Sequence, residues 1–171
     1  QLRAGILDVS VTKFYSMTLY PIKRMLNQAK KVVKLERNCA IKAIAKHHDV
    51  SFTGKKVIVV GKGRLVGLPS SLWAQKMDAD VTVIDKDTPN ADELLKSADI
   101  LISGAGVPGL ITPEKIKDGV IIFDAGTSED SGILRGDCTQ ECANKATLFT
   151  PVPGGIGPIT IAVLLQNLVR L

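Results

Sequence analysis

The chain has 171 residues, 45% of them hydrophobic, and a formal net charge of +5 from 22 Lys+Arg against 17 Asp+Glu. That length suits one domain with a core of its own plus an arm. No apolar run approaches the roughly 20 residues of a membrane helix, and no N-terminal stretch has the charged, apolar and small-residue order of a signal peptide. A soluble protein without membrane insertion is expected, in the cytoplasm or the mitochondrial matrix. Charge is divided along the chain: residues 1–56 hold 12 Lys+Arg and 3 Asp+Glu, whereas residues 57–171 hold 10 and 14. A basic segment of this kind meets an acidic partner, RNA or protein, or else is a solvated lysine-rich helix face.

Residues 1–20 mix β-branched and aromatic side chains without a clear period, which fits one short strand or a segment lying on a neighbouring surface. From 21 to 34, Ile22, Met25, Leu26, Ala29, Val32 and Val33 fall on one stripe with lysines opposite and Pro21 in the first turn, the pattern of an amphipathic helix. Lys23, Lys30, Lys31, Lys34 and Arg37 would carry the contact with an acidic partner. A second helix is expected over 38–48, with Ile41, Ile44 and Ala45 inward. His47 and His48 in its last turn suit the carbonyl end of the helix dipole and are not expected to act as bases.

The basic arm is expected over 1–53 and the domain over 54–171. The domain opens on KVIVVGKGRLVGLP at 56–69, a β-branched run followed by Gly61, Gly63 and Gly67. A continuous apolar run reads as a strand covered on both faces. Glycines at this point serve a tight turn, close backbone approach to a pyrophosphate, and tight helix–strand packing. Glycine-rich strand-to-helix turns also arise for structural reasons alone. A second signal is Asp85, ending the strand 80–85 about 20 residues on, where an acid accepts hydrogen bonds from adenosine ribose hydroxyls.

Further along, the pattern predicts helices at 65–77 and 90–97, strands at 81–84, 100–102 and 120–123, and a helical turn at 113–117. Such alternation defines an α/β fold, a Rossmann-like doubly wound parallel sheet whose ligand lies beyond the carboxyl ends of the strands. Gly61, Asp85, Gly104 and Gly126 would then line one cleft. Residues 127–147 read as polar and turn-rich, with Cys138 and Ala143 as anchors. Cys39, Cys138 and Cys142 are expected to be reduced structural thiols, and no metal site is expected, since no histidine lies near the CxxxC pair. TPVPGGIGPIT at 150–160 packs three prolines and three glycines into a rigid loop before a final helix over 159–168.

That loop resembles the signature of the bifunctional methylenetetrahydrofolate dehydrogenase/methenyltetrahydrofolate cyclohydrolase family. Its glycine turn, GRSxxVGxP, is matched by Gly61, Lys62, Gly63, Val66, Gly67 and Pro69. Ala98 to Leu101 match its ADIL strand, Asp124 and Gly126 its D-x-G turn, and Gly136 with Asp137 its GD pair. The resemblance covers about two thirds of the chain, and implies an NAD(P)-binding domain that presents its cofactor to a folate. By carry-over, Gly61, Lys62 and Gly63 contact the cofactor, Lys86 and Thr127 occupy two further contact positions, and Pro153, Gly154, Gly155, Ile156 and Gly157 face the folate. Lys62-Gly63 replaces the family's Arg-Ser, and Asp85-Lys86 its usual His-Ser. An acid at Asp85 repels a 2′-phosphate, so NAD rather than NADP is the expected cofactor if one is bound.

The family's catalytic half has a tyrosine and lysine four residues apart and QLPLP, DVDG and PCTP segments, of which this chain holds no copy; Tyr20 is followed at that spacing by Arg24. The resemblance therefore leaves two readings. One is the cofactor domain of an enzyme of one-carbon metabolism, its catalytic half supplied elsewhere and folate bound only then. The other is a degenerate, catalytically inactive member serving as a structural subunit or oligomer component of a larger, organellar RNA–protein assembly. No catalytic residue can be named in the chain under either.

Overall fold

The apolar run after Gly54 forms strand β1 (Lys56–Val60), and its placement organises the sheet. The protein is described from a computed structural model, over residues 39–130 and 132–169. The expected 21–34 helix, residues 1–20 and the basic cluster from Lys23 to Arg37 lie outside the described residues. β1 is flanked by two parallel neighbours, β2 (Asp80–Ile84) and β3 (Ile100–Ser103). β4 (Ile121–Asp124) and the two-residue β7 (Leu148–Phe149) extend the β3 side, giving the order β2-β1-β3-β4-β7. All pairs are parallel, so every carboxyl end lies on one edge.

Alternate residues of the central strands feed two separate cores, which is why the runs are apolar without interruption. Val57, Val59, Ile100, Ile102 and Phe123 face one side, with Ala40, Ile41, Ile44 and Ala45 of helix α1 (39–47), Phe52, and Ala74 of α2 (Gly67–Lys76). Ile58, Val60, Leu101 and Ile122 face the other, with Leu95 of α3 (Ala91–Ser97), Ile111, Cys138 and Cys142. The buried set thus includes residues ahead of Gly54, and the compact unit runs from Leu35 to Leu171. Phe52 and Trp73 anchor that end with ring centroids 4.6 Å apart.

Three expectations change. The last helix, α4 (Ile156–Val169), begins three residues before 159, because its first turn accepts Pro158 where no intrahelical N–H is required. Within 127–147 the chain forms an antiparallel hairpin, β5 (Ser128–Asp130) with β6 (Ile133–Arg135), and a 3₁₀ turn at Gln140–Asn144. Three-residue strands whose β6 member is exposed throughout give no alternation to read. Ala143 is exposed, and the anchor is Cys142, fully buried, whose Sγ donates to the Ile111 carbonyl at 3.5 Å. Burial pushes the thiols of Cys138 and Cys142 up, so neither is a ready nucleophile. All three cysteines are free.

Among the described residues no helix is long and apolar enough to cross a membrane, and no His/Cys/Asp/Glu group could hold a metal ion.

Candidate functional site

The carboxyl edge steps from strand to strand through backbone hydrogen bonds. Gly61 N–H donates to Ile84 C=O at 2.8 Å, Gly104 N–H to Val60 C=O at 3.0 Å, and Ala125 N–H to Ser103 C=O at 2.8 Å. The chain runs from β1 outward to β2 and then crosses back past β1 to β3, so the crevice beyond Gly61 and Gly104, between β1 and β3, is the switch point where sheets of this kind bind ligands.

The glycines there differ in what holds them. Gly61 has φ +95°, and a Cβ on it would lie 3.0 Å from the Gly104 carbonyl oxygen. A Cβ on Gly67 would come under 3.0 Å to Gly61 backbone, and one on Gly104 would meet the Val66 side chain at 2.6 Å. Gly61, Val66, Gly67 and Gly104 therefore close on one another, drawing the start of α2 onto the strand ends. Gly63 is different: it is exposed, and an added Cβ meets only the Gly104 oxygen at 3.9 Å. Its bare backbone fronts open space, a cradle that a side chain would fill. No acid occupies the first turn of α2, and no side chain caps it, which leaves that end suited to an anion. The buried Ser70 Oγ in that turn has no hydrogen-bond partner.

At the end of β2, Asp85 Oδ2 is 2.6 Å from Lys62 Nζ. Asp85 Oδ1 accepts from Thr88 Oγ1 at 2.8 Å and from the Asp87 amide at 3.1 Å. The Lys62 ammonium, and then the Thr88 hydroxyl, hold this carboxyl down at about 2. The acid expected to face a ribose is thus already engaged within the chain. Lys86 beside it is exposed.

The other half of the edge rests on two buried carboxylates that sequence reading quoted as motifs without assigning their roles. Asp124 closes β4; its Oδ1 accepts from the amides of Gly126 at 3.0 Å and Asp137 at 3.2 Å, and its Oδ2 from Cys138 at 2.8 Å. Asp137 accepts from Ser103 Oγ at 2.6 Å, the Ala105 amide at 2.7 Å and the Val107 amide at 2.8 Å. A side chain at Gly126 would strike Asp137, and one at Gly136 would strike Asp124. The glycines exist to make room for the acids. Burial, helped by the neighbouring Asp137 carboxylate and opposed by the amide donors, pushes Asp124 up to about 6. The available signal was the spacing itself: an acid and a glycine in each of two turns thirteen residues apart, at Asp124-x-Gly126 and Gly136-Asp137.

The backbone at the end of β4 ties down the start of the proline–glycine loop. Thr150 Oγ1 accepts from the Asp124 amide at 2.7 Å, and the Val152–Pro153 peptide is cis. Thr127, Pro153, Gly154, Ile156 and Gly157 line a largely apolar pocket of about 390 Å³, with Asp124 also in its lining. Gly155 lines a different cavity, beside Ile44, His47 and Ile159, and a Cβ there would meet Pro151 O at 2.6 Å. The structure therefore gathers Thr127 with four of the five loop residues, and the glycine turn with Asp85, at the same sheet edge.

A parallel sheet of this order, with its glycine turn at the switch point, is a Rossmann-like domain. Residues 37–171 match the family described as tetrahydrofolate dehydrogenase/cyclohydrolase, NAD(P)-binding domain, and the chain belongs to that family. It is 41% identical over 129 residues to the bifunctional protein FolD of Staphylococcus epidermidis, covering 74% of this chain and 45% of that protein. It is 42% identical over 131 residues to FolD of Hydrogenobaculum sp., covering 76% and 47%. Among solved structures, FolD of Campylobacter jejuni superposes with a TM-score of 0.75 at 32% identity, over 79% of this chain and 49% of that one. The Trypanosoma brucei enzyme, solved with NADP cofactor and an inhibitor, gives 0.72 at 36% identity over 78% and 48%. The chain spans about half the length of these relatives.

Proposed function

We propose that the chain binds a nicotinamide dinucleotide across the glycine turn and presents it to a methylenetetrahydrofolate held against the proline–glycine loop. The observation that carries this reading is the cradle at Gly63: Gly61, Gly67 and Gly104 leave no room for a side chain, while Gly63 faces outward with room for a ligand. Gly61, Lys62 and Gly63 would approach the pyrophosphate, Gly67 would hold α2 close, Asp85 and Lys86 would face the adenosine ribose, and Thr127 would lie toward the apolar pocket at the proline–glycine loop. Pro153 to Gly157 would face the folate. NAD is preferred over NADP because Asp85 disfavours a 2′-phosphate. A nicotinamide dinucleotide held there would supply a hydride acceptor for the folate methylene carbon. The chain's own residues orient and dehydrate; the proton-transfer group belongs to a catalytic half outside these motifs.

Calorimetric titration of the chain with NAD, beside an assay of methylenetetrahydrofolate oxidation, tests the reading. Binding without turnover is expected. Turnover by the chain alone would mean that the catalytic groups are present after all; absence of binding would remove the cofactor assignment.

The charge asymmetry supports a second reading, an inactive member held in a larger assembly through residues 1–56. Charge reversal at Lys30, Lys31 and Lys34 would then strip an acidic partner from the protein in pull-downs. With single-stranded RNA as that partner, log affinity falls with log salt by about 0.7 per neutralised phosphate. Unchanged partners would leave these lysines as ordinary surface.

A further inference from the structure

Lys62 stands where the glycine turn leaves β1 and Asp85 where the chain leaves β2, 23 positions apart in sequence, yet their charged groups meet at 2.6 Å. The Lys62 side chain is about two-thirds exposed and that of Asp85 about one-quarter. Of the two carboxylate oxygens, Oδ1 already accepts two donors from its own turn, so a ribose hydroxyl must approach Oδ2, the oxygen that Lys62 occupies. A ribose diol therefore competes with the ammonium. A 2′-phosphate faces the opposite balance: Asp85 repels it, but an ammonium has three donors and can serve a carboxylate and a phosphate together. Lys86 adds a second exposed cation at the same strand end, and Asp87 an exposed acid.

We propose that Lys62 is a selectivity residue for the dinucleotide: by pairing with Asp85 it masks the carboxylate that separates NAD from NADP, so discrimination between them is shallow until Lys62 is removed. The inference rests on the dinucleotide reading above and goes beyond it by making the preference a property of the pair rather than of the acid. An ordinary surface ion pair, worth little in either state, would leave the preference untouched.

The test is titration of the full chain with NAD and with NADP by calorimetry, for the wild type and for Lys62→Met and Asp85→Asn. In the wild type the two dissociation constants should lie within about tenfold of each other. Lys62→Met should widen the ratio toward NAD by about tenfold or more, chiefly by weakening NADP, the loss expected for one charge-assisted hydrogen bond. Asp85→Asn should move it toward NADP by about threefold or more, since the repulsion goes while Lys62 stays. A ratio unchanged in Lys62→Met, or shifted toward NADP, would overturn the proposal while leaving the dinucleotide reading intact. Failure of the wild type to bind either dinucleotide would overturn both. Unchanged thermal midpoints in the variants would assign the shifts to the site rather than to folding.

Discussion

The glycine turn at 61–67 and the paired turns at 124–126 and 136–137 sit on one sheet edge and solve the same problem by different physics. In the first, backbone packs on backbone, with Gly61, Gly67 and Gly104 leaving no space for a Cβ, and the charges of Lys62, Arg64 and Asp85 lie toward solvent. In the second, charge is inside. Asp124 and Asp137 are almost wholly buried and serve as acceptors for six donors that would otherwise be orphaned. A glycine near a sheet end can thus mean close approach of a ligand, close approach of backbone, or room for a buried acid, and only the surroundings decide which.

The largest effect should follow from emptying the second region. Asp137→Ala leaves Ser103 Oγ and the Ala105 and Val107 amides without their acceptor. With a penalty of about 1–3 kcal/mol for each buried unsatisfied group, a loss of about 4 kcal/mol is expected in urea denaturation; a loss below about 1 kcal/mol would mean that water replaces the carboxylate freely. Gly67→Ala attacks the first region by overpacking against Gly61 backbone, which cannot swing aside as a side chain can. About 3 kcal/mol is expected, at the upper end for inserted methyl groups.

The buried acids also give the two regions opposite pH signatures. Asp124 has its carboxyl raised to about 6 in the folded chain, against an ordinary value of 3.8. Between those values the folded state holds the proton more tightly than the unfolded one, so this contribution is complete below about pH 4 and is lost as pH rises through 6. The stability difference between wild type and Asp124→Asn should therefore fall by roughly 2–3 kcal/mol from pH 4 to pH 7. Asp85, held down at about 2, contributes in the reverse sense: its stabilisation is present above about pH 4 and is lost as pH falls toward 2. A difference that rises with pH instead would place Asp124 ionised throughout. Smallest of all, Lys62→Met should change stability by less than about 0.5 kcal/mol, as expected for a solvated pair.

The parallel sheet and four of its strands were legible because burial on both faces writes an unbroken β-branched run, as at 57–60 and 100–102. Hairpin β5–β6 was not, since Ile133 and Leu134 are exposed and three residues make no period. The start of α4 was misplaced because Pro158 reads as a break, although a first turn tolerates it. Partnerships between distant positions left no trace beyond the matched glycine–acid turns at 124–126 and 136–137. Nothing in Lys62 or Asp85 announces the other, and Asp124 and Asp137 are thirteen positions apart with polar residues between. The loop residues Pro153 to Gly157 were found as a group by composition, but Gly155 is turned out of the pocket that the other four line, its amide donating back to Pro151 C=O at 2.7 Å, a bond invisible in the pattern.

The account turns on Gly63 fronting a cofactor cradle, and Gly63→Val addresses it most directly. The position is exposed and a Cβ there meets nothing closer than 3.9 Å, so the variant should keep its thermal midpoint. Titrated with NAD by calorimetry, the wild-type chain should bind with a dissociation constant below about 1 mM, and the variant should lose at least about tenfold in affinity because its side chain occupies the pyrophosphate's path. A folded Gly63→Val that binds NAD as tightly as the wild type would contradict the account.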